Sequence, residues 1–381
     1  MHTTMITGAT GFIGRHVVEE ARSREIPLRL MSRHRPPAVA APATPGEAGS
    51  GSAVPRNAHA VRAGTVRTGA VRTGAASTGN TGSGIAVSTG NTGSGIAVST
   101  GNTVSGNPLT ATVPAQGVVA DLARPETLRG ACDGVDVLLH CASQIGGPAD
   151  VNEAVNARGT AALVAEARRA GVRRIVYLST ASVYGRGTFR SARAEALDRH
   201  PGSATSRTRA AAEDAVREAG GIVLRPHLVY GVGDIWVVPA LARLLRAMSG
   251  ASAGWHARMS AVSAPELARL VLGVGSAPAG SLTASVYHAA HPRPVTAAQL
   301  LSAVADCMGL PVPRRALTVE QVRERLVAAN LPQLALDMLA TDHWFDSAPL
   351  WSDLGRVPGP GFDSDFAETR EWYGNTVRAA V

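Results

Sequence analysis

The feature that constrains this chain most is a glycine-rich turn near its beginning, T-G-A-T-G-F-I-G at residues 7–14. A short β-prone run precedes this turn, and a run with apolar residues at helical spacing follows it. Gly8, Gly11 and Gly14 therefore fall where a strand passes into a helix. Glycine lets the backbone at such a turn approach a pyrophosphate, which the free N–H groups of the helix N-terminus stabilise. An ordinary glycine-rich turn is the alternative, but the strand before and the helix after favour a dinucleotide-binding cradle. The residues expected to form it are Gly8, Thr10, Gly11, Phe12, Ile13 and Gly14.

The second predicted strand, residues 26–32, is followed by R-H-R. In a dinucleotide-binding fold this is where the ribose of the cofactor is recognised. An acidic side chain would accept hydrogen bonds from the 2′-hydroxyl of NAD, whereas an arginine pairs with the 2′-phosphate of NADP. Arg33 and Arg35 therefore predict NADPH or NADP as the cofactor, with NAD less favoured. Two solvated arginines at the start of a loop are the alternative interpretation.

Residues 37–116 are low in sequence complexity, and the unit G-N-T-G-S-G-I-A-V-S-T occurs at residues 79–89 and again at 90–100. An internal repeat can indicate a small β-solenoid. Each unit, however, offers one Ile and one Val, which is too little apolar surface to offset the entropy cost of ordering it. We therefore predict a disordered insertion in a surface loop between the second and third strands.

The composition limits the partners of this 381-residue chain. Its 45% hydrophobic content supports a globular core. The net charge of +8 comes from scattered basic residues without an aromatic-interleaved basic stripe, so no nucleic acid is expected. No long apolar run or signal peptide is present, so no membrane association is expected. The three cysteines lack metal-like or redox spacing, which favours a cytoplasmic protein without a metal site.

Further motifs follow along the chain, and together with the cradle they resemble the extended branch of the short-chain dehydrogenase/reductase superfamily. They are G-V-V-A-D-L at 117–122, H-C-A-S at 140–143, N-A-R-G-T at 156–160, S-T-A-S-V-Y-G at 179–185 and R-P-H-L-V-Y-G-V-G-D at 225–234. The resemblance covers nearly the whole chain outside the insertion. It implies an α/β fold, a Rossmann-type doubly wound parallel sheet with a smaller C-terminal substrate-binding cap. Residues 1–231 would form the dinucleotide-binding domain, and residues 232–381 mainly the cap, with a return to the Rossmann sheet.

The resemblance also implies positions around the cofactor. Asp121 and Leu122 would flank the adenine, and Pro226 and His227 would lie beside the nicotinamide. The residues expected under the ribose and pyrophosphate are Cys141, Ala142 and Ser143. We expect His140, which ends a buried-type strand, to be a packed and hydrogen-bonded histidine rather than a catalyst.

The chain departs from this family where the catalytic helix begins. Relatives carry a tyrosine there, which transfers the proton, and a lysine four residues later, which lowers the pKa of the tyrosine. Alignment on A-A-A-E at residues 210–213 places Thr205 and Arg209 at these two positions, and the chain contains no lysine at all. A threonine hydroxyl is a far weaker acid than a phenol, whose reference pKa is about 10. Arg209 is expected to hold the ribose or a phosphate but stays charged and cannot shuttle protons. By resemblance, Thr180 inherits the contact with the substrate hydroxyl, with Ser179 as the second catalytic candidate.

Two classes of function follow. The first is an NADPH-dependent ketoreductase that reduces an angucyclinone-like aromatic polyketide ketone in antibiotic biosynthesis. The lysine-free, Ala- and Arg-rich sequence resembles actinomycete tailoring reductases of such pathways. A phenol on the substrate would then supply the proton, with His227 as the next candidate donor. The alternative is a non-enzymatic NADP-binding sensor or scaffold. A sugar-nucleotide epimerase or dehydratase ranks last because it needs the missing base. Expected partners are a small-molecule aromatic ketone and, in assembly, a second copy of the chain in a homodimer.

Overall fold

The computed structural model describes residues 2–34, 115–247, 255–310, 317–330 and 333–380. Arg35 and residues 37–114 of the predicted insertion lie outside the described residues. All described residues belong to one compact unit. Within them, no helix is both long enough and apolar enough to cross a bilayer.

The described strands are two to five residues long. They are β1 (Thr4–Thr7), β2 (Leu28–Ser32), β3 (Gln116–Val119), β4 (Val137–His140), β5 (Arg174–Leu178), β6 (Phe189–Ala192), β7 (Ile222–Arg225), β8 (Leu228–Tyr230), β9 (Arg258–Met259), β10 (Ala261–Ser263), β11 (Val286–His288), β12 (Val295–Thr296) and β13 (His343–Phe345). The α-helices are α1 (Phe12–Ser23), α2 (Ala149–Asn152), α3 (Gly159–Arg169), α4 (Ala204–Glu218), α5 (Val237–Ala247), α6 (Ala264–Ser276), α7 (Ala297–Met308), α8 (Val319–Ala328), α9 (Leu334–Leu339), α10 (Ala348–Asp353) and α11 (Phe362–Ala380). A π-helical stretch, Glu153–Arg158, joins α2 to α3.

Seven of these strands form one parallel sheet in the order β11-β7-β5-β4-β1-β2-β3. Met5 of β1 lies opposite Leu138 of β4 on one side and Arg29 of β2 on the other. The order of the strands reverses between β1 and β4, and ligands of such sheets bind at the carboxyl ends of the strands beside this point. The predicted α/β doubly wound fold is confirmed.

Helices cover both faces of this sheet. On one face, α1 and α6 contribute apolar side chains such as Val17 and Leu267 to a shared buried cluster. On the other face, α3 and α4 contribute Leu163 and Val216. The near-continuous apolar sequences of the central strands are what burial on both faces requires. β11 and α6, from the C-terminal part of the chain, thus belong to the sheet layer.

The third strand begins earlier than the sequence indicated. Gln116, the last residue of the predicted insertion, is the first residue of β3 and lies opposite Arg29 of β2. Its side-chain oxygen accepts hydrogen bonds from Arg29 Nε and Nη2 at 3.1 and 2.8 Å. The pairing across the sheet, which the sequence does not reveal, sets this boundary.

The rest of the C-terminal part packs as a separate layer. α5, α7, α8, α9 and α11 bury one apolar cluster, which includes Leu245, Leu301 and Tyr373. Two small sheets, β12-β9-β13-β6 and β10-β8, accompany these helices. β6 follows β5 and its loop directly, so this layer receives strands from both halves of the chain.

Candidate active site

Two of the motif glycines, Gly8 and Gly11, lie in the tight turn between β1 and α1, and Gly14 lies in the first turn of α1. Gly8 has a φ of +68°, and a Cβ placed on it would lie 2.7 Å from the backbone nitrogen of Ala142. A Cβ on Gly14 would lie 2.0 Å from the carbonyl oxygen of Gly8. Gly11 caps α1 without a side-chain hydrogen bond to the helix. The first N–H groups of α1 therefore have no side-chain acceptor, and the turn fits a pyrophosphate.

A chain of hydrogen bonds beneath this turn joins β1, β4 and α3. Thr7 Oγ1 lies 2.6 Å from His140 Nδ1, and His140 Nε2 lies 2.9 Å from Thr160 Oγ1. The backbone N–H of Ala142 donates to Thr7 Oγ1 at 3.2 Å. Burial, and secondarily the charge of Arg209, lowers the pKa of His140 to about 3. His140 is therefore a packed, neutral and hydrogen-bonded histidine, as the sequence predicted.

The segment after β4 reaches the cradle with small residues. The backbone of Ala142 lies against Gly8, and Ser143 Oγ accepts a hydrogen bond from Arg209 Nη1 at 3.3 Å. Burial raises the pKa of Cys141 to about 12, so this thiol stays protonated. These are the positions that the resemblance places under the ribose and pyrophosphate.

Two asparagines fasten the loop after β4 to the catalytic helix α4. Asn156 Oδ1 accepts from the N–H of Gln144 at 2.8 Å, and Asn156 Nδ2 donates to Thr208 Oγ1 at 3.1 Å. Thr205, at the tyrosine position of the family, donates to Asn152 Oδ1 at 2.9 Å and accepts from the N–H of Gly146 at 3.1 Å. The Thr205 hydroxyl is thus engaged in holding α4 to this loop.

Arg209, at the lysine position of the family, is buried without a counter-charge. Its side chain is 7% exposed, and its guanidinium lies 5.7 Å from the centroid of the Tyr177 ring. Nη2 donates to the carbonyl oxygen of Leu178, and Nη1 donates to Ser143, but Nε has no partner. No carboxylate of the described residues lies within ion-pair distance of Arg209. An orphaned buried donor between β4 and β5 fits a group with oxygen acceptors, such as a ribose.

The two predicted catalytic hydroxyls have different environments. Ser179 is 2% exposed, and its hydroxyl donates to Glu213 Oε1 at 2.5 Å. This corrects the expectation for Ser179, because a hydroxyl buried against a carboxylate is not presented to a substrate. Thr180 is half-buried, and its Oγ1 accepts from the N–H of Ser182 and donates to Ser182 Oγ, each at 3.1 Å. Thr180 is therefore the more accessible of the two predicted catalytic hydroxyls.

Behind Ser179 lies a buried polar network. Arg225 pairs with both carboxylate oxygens of Glu213, and its Nη1 donates to the Tyr184 hydroxyl oxygen at 2.7 Å. The Tyr184 hydroxyl also lies 2.7 Å from His288 Nε2. Burial raises the pKa of Tyr184. The network fixes the ends of β5 and β7 relative to α4, and its tyrosine is not available as an acid.

The segment after β7 places a histidine among aromatic rings. The carbonyl of Pro226 accepts from the N–H of Ala181 at 2.8 Å, which ties this segment to Thr180. The His227 ring stacks on His343 with centroids 5.6 Å apart and an interplanar angle of 16°. Burial, followed by the neighbouring His343 and His288, lowers the pKa of His227 to about 3. This corrects the choice of His227 as reserve proton donor, because it is neutral at physiological pH.

The adenine end of the predicted cofactor site is more open. Arg33 follows β2, is exposed, and has no carboxylate partner in the part of the chain that the structure describes. Asp121 lies 3.6 Å from Arg124 Nε in an ion pair. Leu122 is buried, and its carbonyl oxygen would lie 2.5 Å from a Cβ on Gly159. No cluster of His, Cys, Asp and Glu among the described residues could hold a metal ion.

Arg15, which follows the third glycine of the cradle, was not among the residues predicted from the sequence. Its guanidinium carbon would lie 2.7 Å from a Cβ on Gly233, which has a φ of +94°. His16 Nε2 lies 2.9 Å from the carbonyl oxygen of Val232. The loop after β8 therefore lies on the first turn of α1. The sequence marks this loop by its V-Y-G-x-G-D motif at residues 229–234, whereas Arg15 is marked only by its position at the start of α1.

A group of exposed apolar side chains, the apolar rim, was not evident from the sequence. Five of the eight large apolar side chains that are exposed in the described residues follow β4 or β8. Ile145 and Val151 follow β4, whereas Val232, Ile235 and Trp236 follow β8. Exposed apolar side chains that follow two strands in this way are candidates for contact with an apolar ligand.

Known proteins resemble this arrangement in sequence and in fold. Residues 104–259 match the 3-beta hydroxysteroid dehydrogenase/isomerase family. A 2-alkyl-3-oxoalkanoate reductase from Stenotrophomonas maltophilia is 27% identical over 268 residues, which cover 62% of this chain and 80% of the relative. The chain is an oxidoreductase with a Rossmann-like α/β fold.

Two further similarities bear on this oxidoreductase. The 4-hydroxy-2-methyl-3-oxo-4-farnesyl-3,4-dihydroquinoline-1-oxide ketoreductase of Stigmatella aurantiaca is 32% identical over 141 residues, 35% of this chain and 42% of that relative. A short-chain dehydrogenase/reductase superfamily protein from Agrobacterium tumefaciens, solved with bound NAD, superposes with a TM-score of 0.63. It is 16% identical, and the match covers 100% of this chain and 98% of that one. The structural likeness shows the fold of the oxidoreductase, and the sequence relatives are named as reductases.

Proposed function

We propose that this protein is an NADPH-dependent ketoreductase that reduces a ketone on an aromatic polyketide of the angucyclinone type, as in simocyclinone biosynthesis. The substrate itself supplies the proton. The single observation that carries this proposal is the environment of the catalytic helix. Thr205 and Arg209 stand in place of the acid and its lysine, and the Thr205 hydroxyl is bonded to Asn152 and Gly146.

No neighbouring group of the described site replaces the missing acid. Because His140 and His227 have a pKa of about 3, neither is an imidazolium near neutrality, and a neutral imidazole is a very weak acid. Burial raises the pKa of Tyr177 and of Tyr184, whose hydroxyl is held by Arg225. A hydride that arrives at a carbonyl carbon leaves an oxygen that must take up a proton. The described residues therefore support a proton source on the substrate.

Bound NADPH would supply the hydride. Residues of the cradle, together with Ser143 and Arg209, would hold it. The structural neighbour binds NAD, whereas our preference for NADPH rests on Arg33. This arginine is free of carboxylate partners in the described part of the chain and stands where the 2′-phosphate would lie by resemblance.

The apolar rim supports an aromatic substrate over a sugar nucleotide. Ile235 is 64% exposed and Trp236 is 38% exposed, and both follow Val232, whose carbonyl oxygen contacts His16 of α1. A flat polycyclic ketone would cover these side chains and remove their apolar surface from water. A sugar ring would leave its hydroxyl groups against them unpaired. A phenol beside the ketone, already hydrogen-bonded to the carbonyl, would deliver its proton within one molecule, with Thr180 orienting the pair.

The test is single-turnover NADPH oxidation with two matched ketones. One carries a free phenol beside the carbonyl, and in the other this phenol is methylated. We expect rapid oxidation with the first and none with the second, although both bind. Equal rates would contradict the substrate-assisted proposal, and no turnover with any hydroxylated polycyclic ketone would favour a non-catalytic cofactor sensor.

Two variants separate the threonines in the same assay. Thr180→Val should slow the reaction moderately, because it removes the hydroxyl that orients the substrate. Thr205→Val should lower the melting temperature, because Asn152 and Gly146 lose a hydrogen-bond partner, yet retain most of the rate. A loss of turnover in Thr205→Val with unchanged stability would instead assign the proton transfer to Thr205.

A further inference from the structure

Arg209 poses a physical problem that its contacts do not solve. A charge buried away from water is stable only when it is paired and hydrogen-bonded. Arg225, which is 3% exposed, satisfies this rule through its two hydrogen bonds to Glu213. Among the described residues, Arg209, which is 7% exposed, has a carbonyl, a hydroxyl and the Tyr177 phenol beside it but no carboxylate, and its Nε lacks a hydrogen-bond partner. Within the described part of the chain, the positive charge of Arg209 therefore has no counter-charge.

We propose that Arg209 stabilises the phenolate that the substrate becomes when its phenol gives up the proton, so that the site selects ketones with an adjacent acidic hydroxyl. This inference rests on the proposed function. Arg209 lies between the ends of β4 and β5, bonded to Ser143 and Leu178, and Leu178 is two residues before Thr180. Its charge is therefore located at the strand ends where the substrate-contacting hydroxyl stands.

The titratable groups that surround Arg209 carry no negative charge near neutral pH that would offset its positive charge, apart from Glu213, which is bound to other arginines. From β4, His140 is neutral above a pKa of about 3, and Cys141 stays protonated to about 12. From β5, Tyr177 faces it, and burial raises the pKa of this phenol. Glu213, on the same helix, is bound to Arg225 and Arg199. Arginine itself does not lose its proton in proteins, so the field of Arg209 is constant.

The chemistry balances without an enzyme acid. The hydride forms the new C–H bond at the carbonyl carbon, and the phenol O–H bond breaks as its proton moves to the carbonyl oxygen. The products are an alcohol and a phenolate, which takes a proton from water after release. A cation near an acid in a partly desolvated site lowers the pKa of that acid by about one to three units. This brings a phenol, with a pKa of about 10, closer to the working pH, where proton transfer is most effective.

The experiment is a spectrophotometric pH titration of 1,4-dihydroxyanthraquinone bound to the full chain in the presence of NADP. Its phenolate absorbs at longer wavelength than its phenol, so the pKa of the bound dye is read directly and without turnover. We expect this pKa to be about one to two units lower in the wild type than in Arg209→Gln. Arg209→Lys should retain most of the difference, because it keeps the charge.

Arg207→Gln is the matched control, since it removes an exposed arginine from the same helix. It should leave the pKa of the bound dye unchanged. If the bound dye has the same pKa in the wild type and in Arg209→Gln, the inference about Arg209 is overturned. If the wild type nevertheless oxidises NADPH with a hydroxylated polycyclic ketone, the proposed function still stands. If Arg209→Gln does not fold, a wild-type value at or above that of the free dye overturns the inference equally. Failure of every hydroxylated polycyclic ketone to bind contradicts the proposed function as well.

Discussion

The buried histidine beneath the cradle, His140, makes the free energy of unfolding depend on pH. The size of this dependence follows from the pKa of His140. Burial lowers the pKa of His140 from 6.5 to about 3 in the folded protein. Below pH 6.5 the unfolded chain takes up a proton at this residue and the folded chain does not. The contribution of His140 to stability is therefore complete above pH 6.5 and is lost progressively as the pH falls from 6.5 toward 3. At pH 5.5 the loss is about 1.4 kcal/mol, a factor of about ten in the unfolding equilibrium.

Urea unfolding at pH 7.5 and 5.5 measures this loss in the wild type and in His140→Gln. At pH 7.5 the variant should be less stable by about 1–3 kcal/mol, because Thr7 and Thr160 lose their buried partner. Between the two pH values, however, it should lose about 1.4 kcal/mol less than the wild type. His256→Gln, at an exposed position, is the control and should behave as the wild type does. Equal pH dependence in the wild type and His140→Gln would refute the assignment.

Three further predictions concern the cradle and its surroundings. Gly14→Ala should abolish binding of NADPH and NADH alike in a fluorescence titration, because its Cβ would lie 2.0 Å from the Gly8 carbonyl oxygen; normal binding would mean that the turn adapts. Arg33→Asp should raise the dissociation constant for NADPH and spare that for NADH, unless the wild type already binds both equally. Tyr373→Phe should lower the free energy of unfolding by about 1–3 kcal/mol in denaturant titrations, because the Gly231 N–H and the Asp234 carboxylate lose a buried partner. A change within experimental error would show that water replaces this hydroxyl.

The resemblance predicted the positions of several site residues, but it did not predict their protonation states or their contacts. His227 follows R-P in the sequence and was a reasonable proton donor, since an unperturbed histidine titrates near neutrality. Burial lowers its pKa to about 3, with smaller contributions from His343 and His288. Part of this burial comes from β13, at the far end of the chain, which brings His343 and Phe345 against the His227 ring. Ser179 and Thr180 are adjacent and chemically alike, yet only the first is turned toward Glu213. Arg15 had no motif that would mark it.

What the sequence determined by itself is the order of strands and helices and the place of the cradle. Those depend on local requirements: a positive φ at Gly8, a close approach at Gly14, and apolar periodicity in the elements on either side. Only the tertiary structure decided which charges are paired. Arg225 finds Glu213 on α4, whereas Arg209, four residues before that glutamate on the same helix, finds no carboxylate in the described residues. Whether a charged side chain forms an ion pair depends on distances between elements that are remote in the sequence. Burial then determines how strongly an unpaired charge shifts the pKa values of its neighbours.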